Sequence, residues 1–204
     1  MKQILVVGED PLSCALGERL VTELLPDWQM PLSPINTKGV TKLVPELPRF
    51  IRQAKHFQPV LCIADTDGKC VKELLSRWLP MMLPENFSLR LAVSESESWL
   101  LADRKALANY FEIAEKHVSK TPDEEADPKR HMLTLARKST KRDIRLEVVS
   151  QTDVSKQGSG YNPHLCHFVK AHWSAHRAAD NSPSLARAIR RIANLGQPSD
   201  QIQP

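Results

Sequence analysis

Long apolar runs are missing from this chain. No stretch approaches the about eighteen consecutive apolar residues of a membrane-spanning helix, and no charged-then-apolar leader opens it, so neither a span nor a signal peptide is expected. Cysteine is sparse. Cys14, Cys62, Cys70 and Cys166 lie far apart, and no pair has a redox or zinc spacing. Reduced thiols in a cytoplasmic protein are the simplest account. A strong excess of one charge is also lacking: the net charge of +4 permits a nucleic-acid partner without arguing for one. What is present is 204 residues, 41% hydrophobic and 25% charged, which specifies a globular chain of one domain or one domain with a sizeable appendage.

The stretch Val60-Leu61-Cys62-Ile63-Ala64-Asp65-Thr66-Asp67-Gly68-Lys69 organises the rest. Five small or apolar residues in a row suit a buried strand and are too few for a typical helix. The run ends in two acids flanking a threonine, then glycine. In an open α/β sheet, chemistry collects at the carboxyl ends of the strands. Two carboxylates placed there repel each other unless a cation lies between them, and a divalent ion with hard oxygen ligands is the natural candidate. The plainer reading is a strand followed by an Asx-type turn.

Two further strands end the same way. Gln3 to Gly8 is a short apolar run discharging Glu9 and Asp10, after which Pro11 starts a helix through Cys14, Leu16, Leu20 and Leu24. Leu89 to Val93 leads into Ser94-Glu95-Ser96-Glu97-Ser98-Trp99. Between them, Met30 to Ile35 reads as an edge or irregular strand because of Pro31 and Pro34. Helices are expected over Thr41 to Phe57, despite Pro45 and Pro48, and from about Lys69 to Leu79. Strands alternating with helices give a parallel or mixed sheet covered on both faces. Glu9, Asp65, Asp67, Glu95 and Glu97 then crowd one edge of it. Crowded carboxylates raise a pKa or bind cations, so one or two ions of the magnesium class, Mg²⁺ or Mn²⁺, are expected. Two such ions stabilise the attacking and leaving oxygens of a phosphodiester.

Glutamate after the first strand and D-x-D after a later hydrophobic strand resemble the Toprim superfamily, which includes topoisomerases, primases, small ribosomal-RNA maturases and OLD-family nucleases. More specifically, SESESWLLAD (94–103), GSGYNPHLCHFV (158–169) and SPSLARAIRRI (182–192) are similar to a family of small stand-alone Toprim-like proteins, often encoded beside OLD-like or SMC-like ATPases in anti-phage islands. The resemblance implies a Toprim-like, Rossmann-like fold with a mostly parallel sheet flanked by helices. It implies Glu9 as acid/base or metal-bridging group, Asp65 and Asp67 as metal ligands, and Glu95 or Glu97 completing the site. It also implies an OLD-like or SMC-like ATPase as partner. Asp10 and Pro11 depart from the glycine-rich turn usual after that glutamate. No topoisomerase tyrosine domain or primase zinc module fits this length.

The remainder carries weaker signals. Trp99, Leu100, Leu101, Ala106, Leu107 and Tyr110 form an apolar stripe, with Trp99 read as core and Asp103 as a cap for the following helix. Ser119 to Lys129 reads as a polar loop suited to flexibility or a partner contact. Lys129, Arg130, Arg137, Lys138, Lys141, Arg142 and Arg145 make either a solvated face or a phosphate-backbone track. Lys156 to Asn162 is a glycine-rich loop that is either a connector or a phosphate approach, in which Lys156 would neutralise transition-state charge. The next helix is expected to hold His164, Cys166, His167, His172 and His176; His172 and His176 have paired-histidine spacing, but no cysteine or carboxylate completes a zinc site, and Phe168, Val169 and Trp173 alternate with them as core. A last helix spans about Ser184 to Leu195, with Arg187, Arg190 and Arg191 on its basic side.

The expected organisation is a Toprim-like catalytic core over 1–115, a basic helical extension over 116–195 packed on it, and a disordered tail over 196–204. The expected activity is that of a Mg/Mn-dependent nuclease acting on DNA or RNA as the effector of an anti-phage system. The alternative is a non-catalytic docking or sensor subunit of the ATPase complex.

Overall fold

The computed structural model describes residues 2–195; the expected tail over 196–204 lies outside the described residues. The first strand is interrupted once, giving β1 (Lys2–Gln3) and β2 (Leu5–Gly8), with the Ile4 amide donating to the Gln29 carbonyl at 3.0 Å. β1 pairs in parallel with β3 (Trp28–Gln29), and β2 pairs with β4 (Ile35–Asn36). The single strand expected over Met30 to Ile35 is therefore two short pieces. Pro31 and Pro34, which lack amide donors, fall in the irregular segment between them. β5 (Val60–Asp65) and β6 (Phe87–Ala92) complete a four-stranded parallel sheet in the order β4-β2-β5-β6.

The helices are α1 (Pro11–Leu24), α2 (Val40–His56), α3 (Val71–Trp78), α4 (Ser96–Ala102), α5 (Arg104–Phe111), α6 (Pro128–Lys138), α7 (Tyr161–Ala171), α8 (Ala175–Ala179) and α9 (Pro183–Ala193). This is an α/β protein whose parallel sheet is flanked by helices, with further helices at the C-terminus, a Rossmann-like architecture. Alternation along the strands divides the core in two. Leu5, Val7, Val60, Cys62 and Leu89 pack with Leu43, Leu47 and Phe50 of α2 and Leu74 of α3. Ile4, Val6, Leu61 and Ile63 face α1, α4 and the C-terminal helices. Tyr161, Phe168, Trp173 and Ile192 join Leu16, Leu20 and Trp99 in one buried cluster, so residues after 116 close one face of the sheet together with α1.

Trp99 is completely buried, and its indole donates to Ser184 Oγ at 2.9 Å. Truncating a side chain so enclosed typically costs about 3–5 kcal/mol. Asp10 N-caps α1 by accepting from the Ser13 amide at 2.7 Å, with Pro11 in the first helical position. This supplies the local geometry at the Asp-Pro departure. Gly8 permits the close approach: a Cβ there would lie 2.5 Å from the Cys14 backbone nitrogen.

Three local expectations change. Asp103 stands between α4 and α5 but makes no side-chain capping bond; its carboxylate accepts from the Ser174 amide at 2.9 Å and from Arg177 at 2.7 Å. The polar loop after Ser119 is pinned, because Asp123 accepts from Ser182 Oγ and the Ser184 amide at 2.6 and 2.7 Å. The helix expected through His164 to His176 ends at Ala171. His172 caps it, His176 belongs to α8, and the chain turns between them, so the two histidines do not share a helix face.

Candidate functional site: a carboxylate cluster at the sheet's carboxyl end

Strand order reverses between β2 and β5, since the chain runs from β2 to β4 on one side before returning to β5 on the other. Such a switch point opens a crevice beyond the carboxyl ends of the two strands. Glu9 follows the last residue of β2, and Asp65 is the last residue of β5. Both are 8% exposed. Glu9 Oε1 accepts from the Asp65 amide at 3.2 Å. Asp65 Oδ1 accepts from Ser96 Oγ at 2.6 Å, and that hydroxyl lies 3.3 Å from Ser13 Oγ. Ser13 and Ser96 come from the first turns of α1 and α4, so two helix N-termini face the acids and their dipoles partly offset the charge.

Glu97 is 3% exposed and accepts from the Tyr161 hydroxyl at 2.7 Å. Glu95 accepts from the Lys129 amide at 2.9 Å, at the start of α6. The Lys129 ammonium stands 3.6 Å from Glu95 and 3.9 Å from Glu97. Asp67 is held at φ 49, a left-handed conformation that Asp tolerates, by amide donation to the Ser94 carbonyl at 2.8 Å. Its carboxylate faces solvent, 3.8 Å from Lys69.

The electrostatic consequences follow from this crowding. Burial, then Asp10 and Asp67, raise Glu9 from 4.5 to about 7. Burial, then Glu9 and Glu97, hold Asp65 well above the usual carboxylate range. Burial also raises Glu97, against the pull of Lys129 and the Tyr161 hydroxyl. Burial works against the charge on Lys129, but Glu97, Glu95, Asp65 and Asp10 outweigh it and raise its pKa. Six carboxylates (Glu9, Asp10, Asp65, Asp67, Glu95, Glu97) thus share two ammonium groups (Lys69, Lys129). The cluster can exchange a proton near neutral pH, and added positive charge would stabilise it.

The donor chemistry suits a hard cation: several carboxylates, partly shielded from water, with negative charge to spare. The spacing is not that of a finished ligand cage. Among the described residues no group of three or more His, Cys, Asp or Glu side chains is arranged to hold a metal ion. Glu9, Asp65 and Glu97 form a buried row, Glu95 is drawn to Lys129, and Asp67 lies at the rim.

Lys156 is not drawn into this row. It pairs with Asp153 at 3.2 Å on an exposed loop. The loop's glycine amides are already bonded, Gly158 to the Val148 carbonyl and Gly160 to the Glu147 carbonyl, both at 2.9 Å. A Cβ on Gly158 would lie 2.2 Å from the Glu147 oxygen, so glycine serves close packing there. Three cations of the basic run also turn inward. Lys129 joins the acids, Lys141 donates to the Tyr110 carbonyl at 2.9 Å, and Arg145 donates to the Thr140 carbonyl at 2.8 Å. Arg137, Lys138 and Arg142 stay exposed.

Lys129 and Tyr161 were not legible as site residues. Lys129 is the first cation of a run that reads as a solvated face or a phosphate track, and Tyr161 sits in a glycine-rich loop that reads as a connector or a phosphate approach. Only the tertiary approach of α6 and α7 to α4 brings them to Glu97. Among the described residues no helix is long and apolar enough to cross a membrane. Compared with protein-family models, curated proteins and solved structures, the chain matches none.

Proposed function

We propose that the carboxylate cluster is the active site of a metal-dependent phosphodiesterase acting on DNA or RNA, with a Toprim-like arrangement of acids. One observation carries the reading: Glu9, Asp65 and Glu97 are buried together at a topological switch point with raised pKa values and too few cations. Structural carboxylates are ordinarily stabilised as anions by their partners; a cluster that destabilises its own charge supports a functional reading. Glu9, Asp65 and Glu97, joined by Asp67 or Glu95 from the rim, would hold Mg²⁺ or Mn²⁺ only by drawing together around it, since as they stand no three of them are spaced as a ligand set. That ion would supply Lewis-acid stabilisation of charge developing on the phosphate.

The chain's own groups divide the remaining work. Without the ion, Glu9, at about 7, holds or releases a proton near neutral pH; the ion, when bound, would keep it ionised as a ligand. Tyr161 fixes the Glu97 carboxylate by its 2.7 Å hydrogen bond. Lys129 offers a positive charge to an incoming phosphate beside the same acids. An OLD-like or SMC-like ATPase would be the partner, and phage defence the setting.

The test is cleavage of plasmid DNA and RNA in Mn²⁺, with Asp65→Asn and Asp67→Asn beside the wild type. Loss of metal-stabilised transition-state charge is worth several kcal/mol, so both variants should lose at least about a hundredfold in rate. Full activity in Asp65→Asn would remove the site assignment. A non-catalytic docking subunit is the second reading. It is favoured by the internal neutralisation of Glu95 and Glu97 by Lys129. A wild type inert on both substrates, with the Asn variants still binding the ATPase, would establish it.

A further inference from the structure

A second feature lies away from the acids, at the open edge of the sheet. β6 is an edge strand, and a cavity of about 620 Å³ straddles it, bounded by Val71 and Leu75 of α3 on one side and by α9 on the other. Four arginines line it: Arg90 from β6, and Arg187, Arg190 and Arg191 from α9. Spacings of three and four residues place the α9 arginines on neighbouring positions of one helix. Among the described residues no carboxylate forms an ion pair with any of the four. Arg90 Nε is buried and has no hydrogen-bond partner among the described residues. Burial and the nearby Arg191 charge push the Arg90 guanidinium down to about 10.

An unpartnered buried guanidinium nitrogen costs free energy, and the Arg191 charge beside it adds to that cost, while Arg187 and Arg190 bring exposed positive charge to the same lining. A single inward charge on an edge strand discourages strand-to-strand aggregation, but that explains one arginine and not four around one cavity. A ligand that fills the cavity must bring negative charge and several acceptor oxygens. Planar guanidinium forks match phosphate oxygens two at a time. The cavity lining includes Val93, just past the carboxyl end of β6 and two residues before Glu95.

We propose that the groove between β6 and α9 binds the phosphodiester backbone of a nucleic-acid strand, with Arg90, Arg187, Arg190 and Arg191 as phosphate contacts. The choice of a strand over a free nucleotide rests on the phosphodiesterase reading; the phosphate chemistry rests on the groove alone. The basic run of α6 is not needed for this track.

Binding of labelled single-stranded DNA and RNA oligonucleotides is measured by fluorescence anisotropy in chelator, so the readout is independent of metal and of cleavage. Arg187→Gln, Arg190→Gln and Arg191→Gln are combined in one protein. At about 0.7 in salt slope per phosphate contact, three lost contacts reduce the slope by about 2, and near 0.1 M salt weaken binding by about a hundredfold. Arg137→Gln, Lys138→Gln and Arg142→Gln, combined in a second protein, remove the same charge from the other basic region and should have a much smaller effect. Equal losses in the two proteins would reduce the effect to general electrostatics and overturn the groove. Arg90→Met retains the apolar stem and removes the buried charge. It should weaken binding while leaving the melting temperature of the free protein unchanged or higher. A lower melting temperature with unchanged binding would make Arg90 a structural residue and overturn its role. A nucleoside triphosphate or inorganic triphosphate that displaces oligonucleotide at lower concentration than unlabelled strand would overturn the choice of a strand. If cleavage is absent while the groove variants still weaken binding, the hydrolytic reading falls and the groove stands.

Discussion

Replacing Glu9 with Gln tests the central electrostatic claim directly. Oε1 of Gln can still accept from the Asp65 amide, so the geometry at the β2–β5 crevice is preserved while the charge is removed. In the wild type, Glu9 rises from 4.5 to about 7 on folding. A carboxyl with a raised native pKa keeps its proton longer when folded, so between these values the native state binds more protons than the unfolded one. Stability therefore falls as pH rises through that window and levels off above about 7. At 1.36 kcal/mol per unit the full shift corresponds to about 3 kcal/mol, which screening at the cleft reduces to about 2 kcal/mol. For a chain of this size that is about 4–8 °C in melting temperature. Glu9→Gln should remove this loss. It should also relieve Asp65, whose pKa Glu9 helps to raise after burial. The assay is thermal melting in chelator from about pH 5 to about pH 8. The variant should match the wild type at the acid end and exceed it at the alkaline end. Parallel curves for the two proteins would refute the claim that Glu9 carries unfavourable charge. Under the metal reading, Mn²⁺ should raise the wild-type melting temperature at the alkaline end and raise that of Glu9→Gln less, since a ligand bound only by the native state stabilises it by mass action.

Two further outcomes follow from the same geometry. Tyr161→Phe removes the 2.7 Å donor to Glu97 without opening a large cavity, and should cost about 1.5–3 kcal/mol by urea denaturation at neutral pH, because the lost bond is to a charged group. The loss should shrink in acid, where Glu97 is protonated, and a pH-independent loss would mean that packing alone is responsible. Lys129→Gln should lower the melting temperature more at alkaline than at acid pH, because Glu95 and Glu97 lose their shared cation. Added Mn²⁺ should restore part of that loss, and an equal drop across the pH range would show that the ammonium does not neutralise these acids.

The strands and the acids at their ends were legible because both are local. A five-residue apolar run has few alternatives to a buried strand, and whatever follows it must leave the sheet at the same edge as its parallel neighbours. That logic places Glu9, Asp65, Asp67, Glu95 and Glu97 at one end of the sheet from the sequence alone. The helical start at Pro11 and the burial of Trp99 were legible for the same reason, since capping and periodicity act within a few residues. The tertiary structure alone decided how these groups meet. Burial of Glu9 and Asp65 depends on the neighbouring placement of β2 and β5, which no local pattern encodes. The Lys129 ammonium reaches Glu97 because α6 starts against α4, and Asp103 leaves its cap to hold Arg177 because α8 packs there. Cations of similar appearance in the sequence were separated by packing into an internal counter-ion, carbonyl-bound braces and the open groove of α9. Local sequence sets which backbone shapes and charges are available; long-range burial sets which of those charges face water and which face one another.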